Sequence, residues 1–354
     1  MLRIFARRSN DVRYFTDDPA HELDGLRPQG PGWWLRGAGD PADPECVQAV
    51  LARSERASVV GYDVVVAAPR PVSTLLALDE SSGGALVAAH RHAVAAAMGY
   101  LEERGLVVRT QVAGERYDVA ARWDKVVAFT HGVNRHGEPH LHDHVLVGAR
   151  PAGEDTVLDR RSLDVHAGAA DALYLAALRH GVNARTTWRA WRSFRGHDHV
   201  VGVDEGYRVL WGGHHEGRGE KLHWSREEAR TTWRDDLARY RTEAALEAPR
   251  HEFDTHAFAA TFEGALTVTR RQVVAAWAHA STFGERAARI DAGIDRFVPA
   301  LRNERGVREA SITVAQARGI EASVSRLLAS DRDRDPARQR ARERDSRGDG
   351  ERSR

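Results

Sequence analysis

The chain has 354 residues, 42% of them hydrophobic, a formal net charge of +1 and one cysteine, Cys46. That is apolar material for one large domain or two ordinary ones. The near-neutral charge supplies no global basic field, and a single cysteine excludes a disulfide framework or a cysteine-based zinc module. No run of 18 apolar residues occurs and MLRIFARRSNDVRYF has no signal-type apolar region, so a cytoplasmic protein without membrane insertion is expected.

Leu2–Phe5 reads as a first strand. Arg27–Pro44, rich in Gly and Pro and carrying Trp33 and Trp34, reads as a long loop or extended arm. Ser58–Pro69 is strongly β-branched and predicts a core strand, ended by Pro69 and Pro71. Between Gly84 and Arg104 the apolar residues recur at helical spacing up to a Gly105 stop. Val107–Val112 predicts a short strand, and Gly114–Asp118 a turn. Leu163–Gly181 predicts a second amphipathic helix. Short β-like runs follow at His199–Val203 and Tyr207–Trp211. Helices are expected over Arg226–Glu247, Val268–Ala280 behind a Thr267 or Thr269 cap, and Glu285–Val298. Asp331–Arg354 has no aromatic or β-branched residue, which predicts a disordered charged tail. The expected division is an α+β domain over 1–225, a mostly helical extension over 226–330, and the tail over 331–354. Without a βαβ rhythm, the sheet should be antiparallel.

One stretch carries unusual chemistry. Val126–Phe129 and Val145–Val147 flank a turn rich in Gly, Asn and Pro, the pattern of a β-hairpin. His142 and His144, two apart on a strand, project from one face roughly 6–7 Å apart. His131, closing the preceding strand, reaches the same face. Three such imidazoles make a metal site with coordination positions left open. His197-Asp198-His199 echoes the pattern but lacks a third partner, and His214 and His215 lie in loop-like sequence. His140 shares the face by period but stands at the start of the strand, where solvent is an alternative; His136 lies within the turn. Asp143, between two ligands, should face the other side of the sheet.

Phe129, His131, Arg135, Pro139, Leu141, His142, His144, Val145 and Val147 together resemble the three-histidine motif of conjugative relaxases of the MobF class, within the HUH endonucleases. Two more blocks agree in order. Gly61-Tyr62-Asp63 with Ala67–Ser73 resembles the family's glycine–aspartate and S-A-P-K-S-V-S segment, with Arg70 in place of the usual lysine. Leu158–Leu163 with the helix that follows resembles its L-D-x-R-S-L block.

The resemblance implies a five-stranded antiparallel sheet with helices on one face, and a helical C-terminal extension. It implies nicking of one DNA strand at an origin of transfer by a tyrosine that becomes joined to the 5′ phosphate. His131, His142 and His144 would hold a divalent ion, Mg or Mn by family habit, with Zn also suited to nitrogen ligands. Asp63 would accept the N–H of a ligand histidine or take the nucleophile's proton. Tyr14 is the only tyrosine before Tyr62 and sits where the family places its nucleophile. Arg70, Arg135, Arg185, Trp188, Arg189, Trp191 and Arg192 are the candidate contacts to single-stranded DNA. In the segment 185–195 an aromatic core face with an Arg surface is the competing reading, and Trp33 and Trp34 pose the same choice. No G-x-x-x-x-G-K-[ST] occurs, so unwinding is expected from a separate helicase or coupling protein. An HUH replication initiator or transposase, and a degenerate relaxase that binds without cutting, are the alternative functions.

Overall fold

The computed structural model describes residues 1–16, 33–37, 43–51, 58–78, 83–134, 136–152, 156–185, 191–194, 197–200, 226–238, 253–301, 311–320 and 323. Its centre is a five-stranded sheet in the order β1-β3-β7-β6-β2, antiparallel throughout. The strands are β1 (Leu2–Arg7), β2 (Trp33–Arg36), β3 (Gly61–Ala67), β6 (Val126–Val133) and β7 (Pro139–Gly148). The strand placed last in this order, β2, falls where the sequence predicts a loop. Four residues are enough to pair with β6 through Trp33↔Ala128 and Trp34↔Val127, too short a run to register against the surrounding Gly and Pro.

A second correction concerns the predicted turn at Gly114–Asp118. The turn is only Ala113–Gly114, both at positive φ (52° and 87°). Glu115–Ala120 is a strand, β5, paired with β4 (Val107–Val112). Positive φ at both central residues gives the twist that suits a two-residue hairpin. Its strand residues are exposed, so no hydrophobic alternation marked it. The third unpredicted element is α3 (Arg70–Leu78), where Pro71 falls in the first turn and removes an N–H that no helical carbonyl needed.

Strand alternation sorts the sheet into two faces. Tyr62, Val64, Val66, Leu141, Val145 and Val147 face the main core, built with α4 (Gly83–Tyr100) and α5 (Arg160–Arg185). The other face carries a smaller cluster of Val12, Phe15, Val47, Val50, Leu51, Val60, Val127, Phe129 and Leu146. Among the described residues it is covered by α1 (Arg13–Thr16) and α2 (Pro44–Gln48) with its 3-10 continuation. Gly61 is required beside this cluster, because a Cβ there would lie 2.4 Å from the Val147 carbonyl oxygen and 2.3 Å from Leu51 Cδ2.

Beyond α5 come β8 (Trp191–Phe194) and β9 (His197–Val200), a two-stranded pair, then α6 (Arg226–Ala238), α7 (Thr255–Ala260), α8 (Arg270–Ala280) and α9 (Ala287–Phe297). Thr269 caps α8 in a capping box with Gln272, the second of the two caps that the sequence allows. Trp277 of α8 and Ile290 and Ile294 of α9 belong to the same main core as the sheet. Among the described residues no helix is long and apolar enough to cross a membrane. The predicted run Tyr207–Trp211 and the tail 331–354 lie outside the described residues.

Candidate metal centre

His131 on β6 stands directly opposite His142 on β7, and His144 is two residues further on the same face. The three ring centroids lie 5.1 Å (131–142), 5.1 Å (131–144) and 5.3 Å (142–144) apart. One nitrogen from each ring falls within 4.8 Å of the others. Small side-chain rotations would bring them onto one ion at the usual metal–nitrogen distance of about 2.1 Å.

Which ring nitrogen faces a ligand is set by what the other nitrogen does. His144 Nδ1 lies 3.0 Å from both oxygens of Asp63, on the neighbouring strand β3. His142 Nδ1 lies 2.7 Å from the His140 carbonyl oxygen. Carboxylates and carbonyls only accept, so both Nδ1 atoms carry a proton, which makes Nε2 the atom of each ring that would meet a ligand. Burial, then the neighbouring imidazoles of His140 and His144, hold His142 well below the ordinary histidine range. It is therefore neutral, the form that binds metal. Three imidazoles on one face, with an outer carboxylate orienting one of them, fit a divalent cation and leave room for substrate oxygens.

Tyr14 lies on α1, and only its main chain is described. Its neighbour Phe15 is buried, stacks on Phe129 (centroids 5.2 Å) and tilts against His144 (5.3 Å), which fastens α1 to the histidine face. Arg7 lies over the Phe15 ring at 5.3 Å. Tyr62 points into the main core and Tyr100 and Tyr174 are buried among the helices, with burial raising all three hydroxyls above the ordinary range. Tyr117 lies on the β4–β5 hairpin, bonded to Glu115.

Asp143 does face the other side of the sheet, and there it is fully buried. Trp33 Nε1 donates to its Oδ2 at 3.2 Å, and His90 Nε2 lies 3.1 Å from its Oδ1. His90 Nδ1 meets the Tyr174 hydroxyl at 2.8 Å. Trp33 is thus tied to Asp143 through its indole N–H and packs, partly buried, against the main core. Sequence reasoning had no signal for His90, since a histidine inside an alanine-rich helix shows no destination.

Of the candidate DNA contacts, Arg70 opens α3 and pairs with Glu138 at 3.1 Å, and Asn134 Nδ2 holds the same Glu138 oxygen at 2.6 Å. Arg135, Trp188 and Arg189 lie outside the described residues. Arg185 ends α5, and Trp191 and Arg192 lie on β8, with side chains outside the description. The same holds for His197 and His199 on β9, and His214 and His215 lie outside altogether. His140 is part-buried against His142, with centroids 4.7 Å apart, and its Nδ1 is enclosed with no hydrogen-bond partner among the described residues.

The family model of the TrwC relaxase matches residues 24–209. Among solved structures, a conjugative relaxase TrwC in complex with oriT DNA, in a copper-bound form, superposes with a TM-score of 0.54 at 17% identity. It covers 68% of this chain and 98% of that one. A metal-bound TrwC–oriT complex gives 0.53, and TrwC with a 27-mer comprising the recognition hairpin and cleavage site gives 0.50, at the same identity and coverage. At that identity the likeness is one of fold. No curated protein matches the chain.

Proposed function

Because the chain belongs to the TrwC relaxase family, the conjugative relaxases of the MobF class, we propose that it nicks one DNA strand at an origin of transfer through a phosphotyrosine intermediate. The observation that carries this reading is the histidine tripod, with His144 oriented by Asp63.

His131, His142 and His144 would hold the divalent ion, Mg or Mn, with Zn as the alternative that imidazole nitrogens also suit. When bound, the ion supplies positive charge for the non-bridging oxygens of the scissile phosphate. Tyr14 Oη attacks phosphorus. The Tyr14 O–P bond forms, the P–O3′ bond breaks, and the departing 3′ oxygen takes up a proton to become the free hydroxyl. A free tyrosine ionises near 10, so a nearby cation must favour the phenolate, and Arg7, over the adjacent Phe15, would supply that charge. Phe15 packed on His144 keeps the start of α1 beside the tripod, and no tyrosine with a described side chain lies on that face. Asp63, with both oxygens on His144 Nδ1, serves as the orienting carboxylate rather than as the base.

The palm over 1–225 carries the chemistry. Of the extension over 226–330, α8 and α9 pack into the main core, and α6 is the part that would close on single-stranded DNA: buried Trp233 donates to the Gly137 carbonyl in the turn of the ligand hairpin at 2.7 Å. Arg70, Arg135, Arg185, Trp188, Arg189, Trp191 and Arg192 remain the proposed DNA contacts. A separate helicase or coupling protein would unwind the duplex in the cytoplasm.

The test is a labelled single-stranded origin oligonucleotide incubated with the protein and Mn or Mg. A covalent adduct is expected from wild type and none from Tyr14→Phe. An adduct of equal yield from Tyr14→Phe refutes the nucleophile, and none from wild type with any divalent ion refutes the reaction.

A further inference from the structure

On the reverse of the sheet, one rung lies directly behind the tripod. Thr130 on β6 and Asp143 on β7 are cross-strand partners. Thr130 immediately precedes His131, and Asp143 stands between His142 and His144. Every ligand is therefore one residue from this rung. Two consecutive residues of α4 hold it: Arg91 Nε donates to Thr130 Oγ1 at 3.1 Å, and His90 Nε2 meets Asp143 Oδ1 at 3.1 Å. Trp33 of the edge strand takes the other Asp143 oxygen, and Arg91 lies over the Trp33 ring at 5.4 Å. Tyr174 of α5 completes the chain through His90.

Stability alone gives a poor account of this arrangement. Asp143, His90 and Tyr174 are all fully buried, and replacing both partners of a buried polar pair by apolar groups of like shape can be nearly neutral or stabilising. What a bonded carboxylate provides that a valine does not is direction. Both Asp143 oxygens are engaged by groups on different elements, Trp33 of β2 and His90 of α4, which restrains the side chain from two directions.

We propose that the Thr130–Asp143 rung, gripped by Arg91 and His90, is the positioning element of the metal centre, with Asp143 the positioning residue for His142 and His144. The proposal rests on the tripod being a metal site. By fixing the main chain from behind, it sets the separation of the Nε2 atoms that meet the ion. Outer groups of this kind typically contribute 10–100-fold in metal affinity.

Co2+ titration followed by its visible spectrum tests this on the full chain. In the double variant Asp143→Val/His90→Leu, both buried polar groups become apolar. With Tyr174→Phe added to remove the hydroxyl that His90 held, it should keep a cooperative melt without metal, lowered by the unpaired Trp33 indole N–H, yet bind Co2+ at least tenfold more weakly, with altered ligand-field bands. Asp143→Asn, which keeps the shape and one acceptor, gives the same readout at smaller amplitude should that variant fail to fold. His142→Ala is the control that abolishes binding. Co2+ affinity within twofold of wild type and an unchanged spectrum in a folded Asp143 variant overturn the proposal alone. Absence of Co2+ binding by wild type, or undiminished binding by His142→Ala, overturns the tripod and the proposal with it.

Discussion

Replacing Asp63 separates two jobs that a carboxylate beside this tripod can do. Asp63 and His144 side chains are 11% and 13% exposed, and both carboxylate oxygens sit 3.0 Å from Nδ1. A charge-assisted bond so shielded is worth about 1.5–3 kcal/mol. The typical loss for an outer-sphere carboxylate, 10–100-fold in metal affinity, is about 1.4–2.7 kcal/mol. The two figures agree. Asp63→Ala should therefore weaken Mn2+ binding by roughly 10–100-fold, read by titration calorimetry at constant pH and salt. Asp63→Asn, which keeps a neutral acceptor, should fall between. Adduct formation should recover in Asp63→Ala when Mn2+ is raised to saturation. Mn2+ affinity within twofold of wild type, together with lost adduct at saturating metal, would refute the orienting role and assign Asp63 to the tyrosine proton.

Further outcomes follow from burial. His140 and His166 are both held down to about 4, chiefly by burial, and His142 shifts the same way. An unfolded chain takes up those protons near 6.5, so metal-free stability is full above that pH. It falls on acidification towards 4, by up to about 1.4 kcal/mol per pH unit for each such histidine. Denaturant midpoints flat from pH 7 to 4.5 would contradict this. Removing the ion with a chelator should lower the melting temperature, with about 2.7 kcal/mol lost if the ion had been present at 100 times its Kd. The shift should vanish in His142→Ala. Trp233→Ala removes a ring 2% exposed and its bond to Gly137, at a cost of about 3–5 kcal/mol. A loss under 1 kcal/mol would mean that α6 is only loosely attached to the hairpin.

How far the sequence could be read follows from how local each signal was. The β-branched runs and the His-x-His spacing announce strands and a shared face directly, and β6, β7 and the tripod stand where they predict. Asp63 was legible only through its motif, because nothing in Gly61-Tyr62-Asp63 alone aims a carboxylate at a histidine 81 residues away. β2 and β5 were missed because one is four residues long amid turn formers and the other is exposed on most of its length. Trp33 left two readings open, and its destination, the indole bond to Asp143, depends on a strand pairing that no spacing reveals. Arg70, which the motif offers as a DNA contact, also pairs with Glu138, a partner 68 residues on that its own segment does not announce.

The strand order also bears on when the site is lost. Asp63, His131, His142 and His144 come from β3, β6 and β7, the three inner strands, while β1 and β2 form the margins. Proteins open from their margins inward, and central strands exchange their amide hydrogens only through the costliest openings. Fraying of either margin during handling of a DNA strand therefore leaves the histidines in register. Amides of 63–66 and 142–146 should be among the last to exchange, and an ion held there should dissociate on the timescale of global unfolding or of ligand exchange, not of surface breathing.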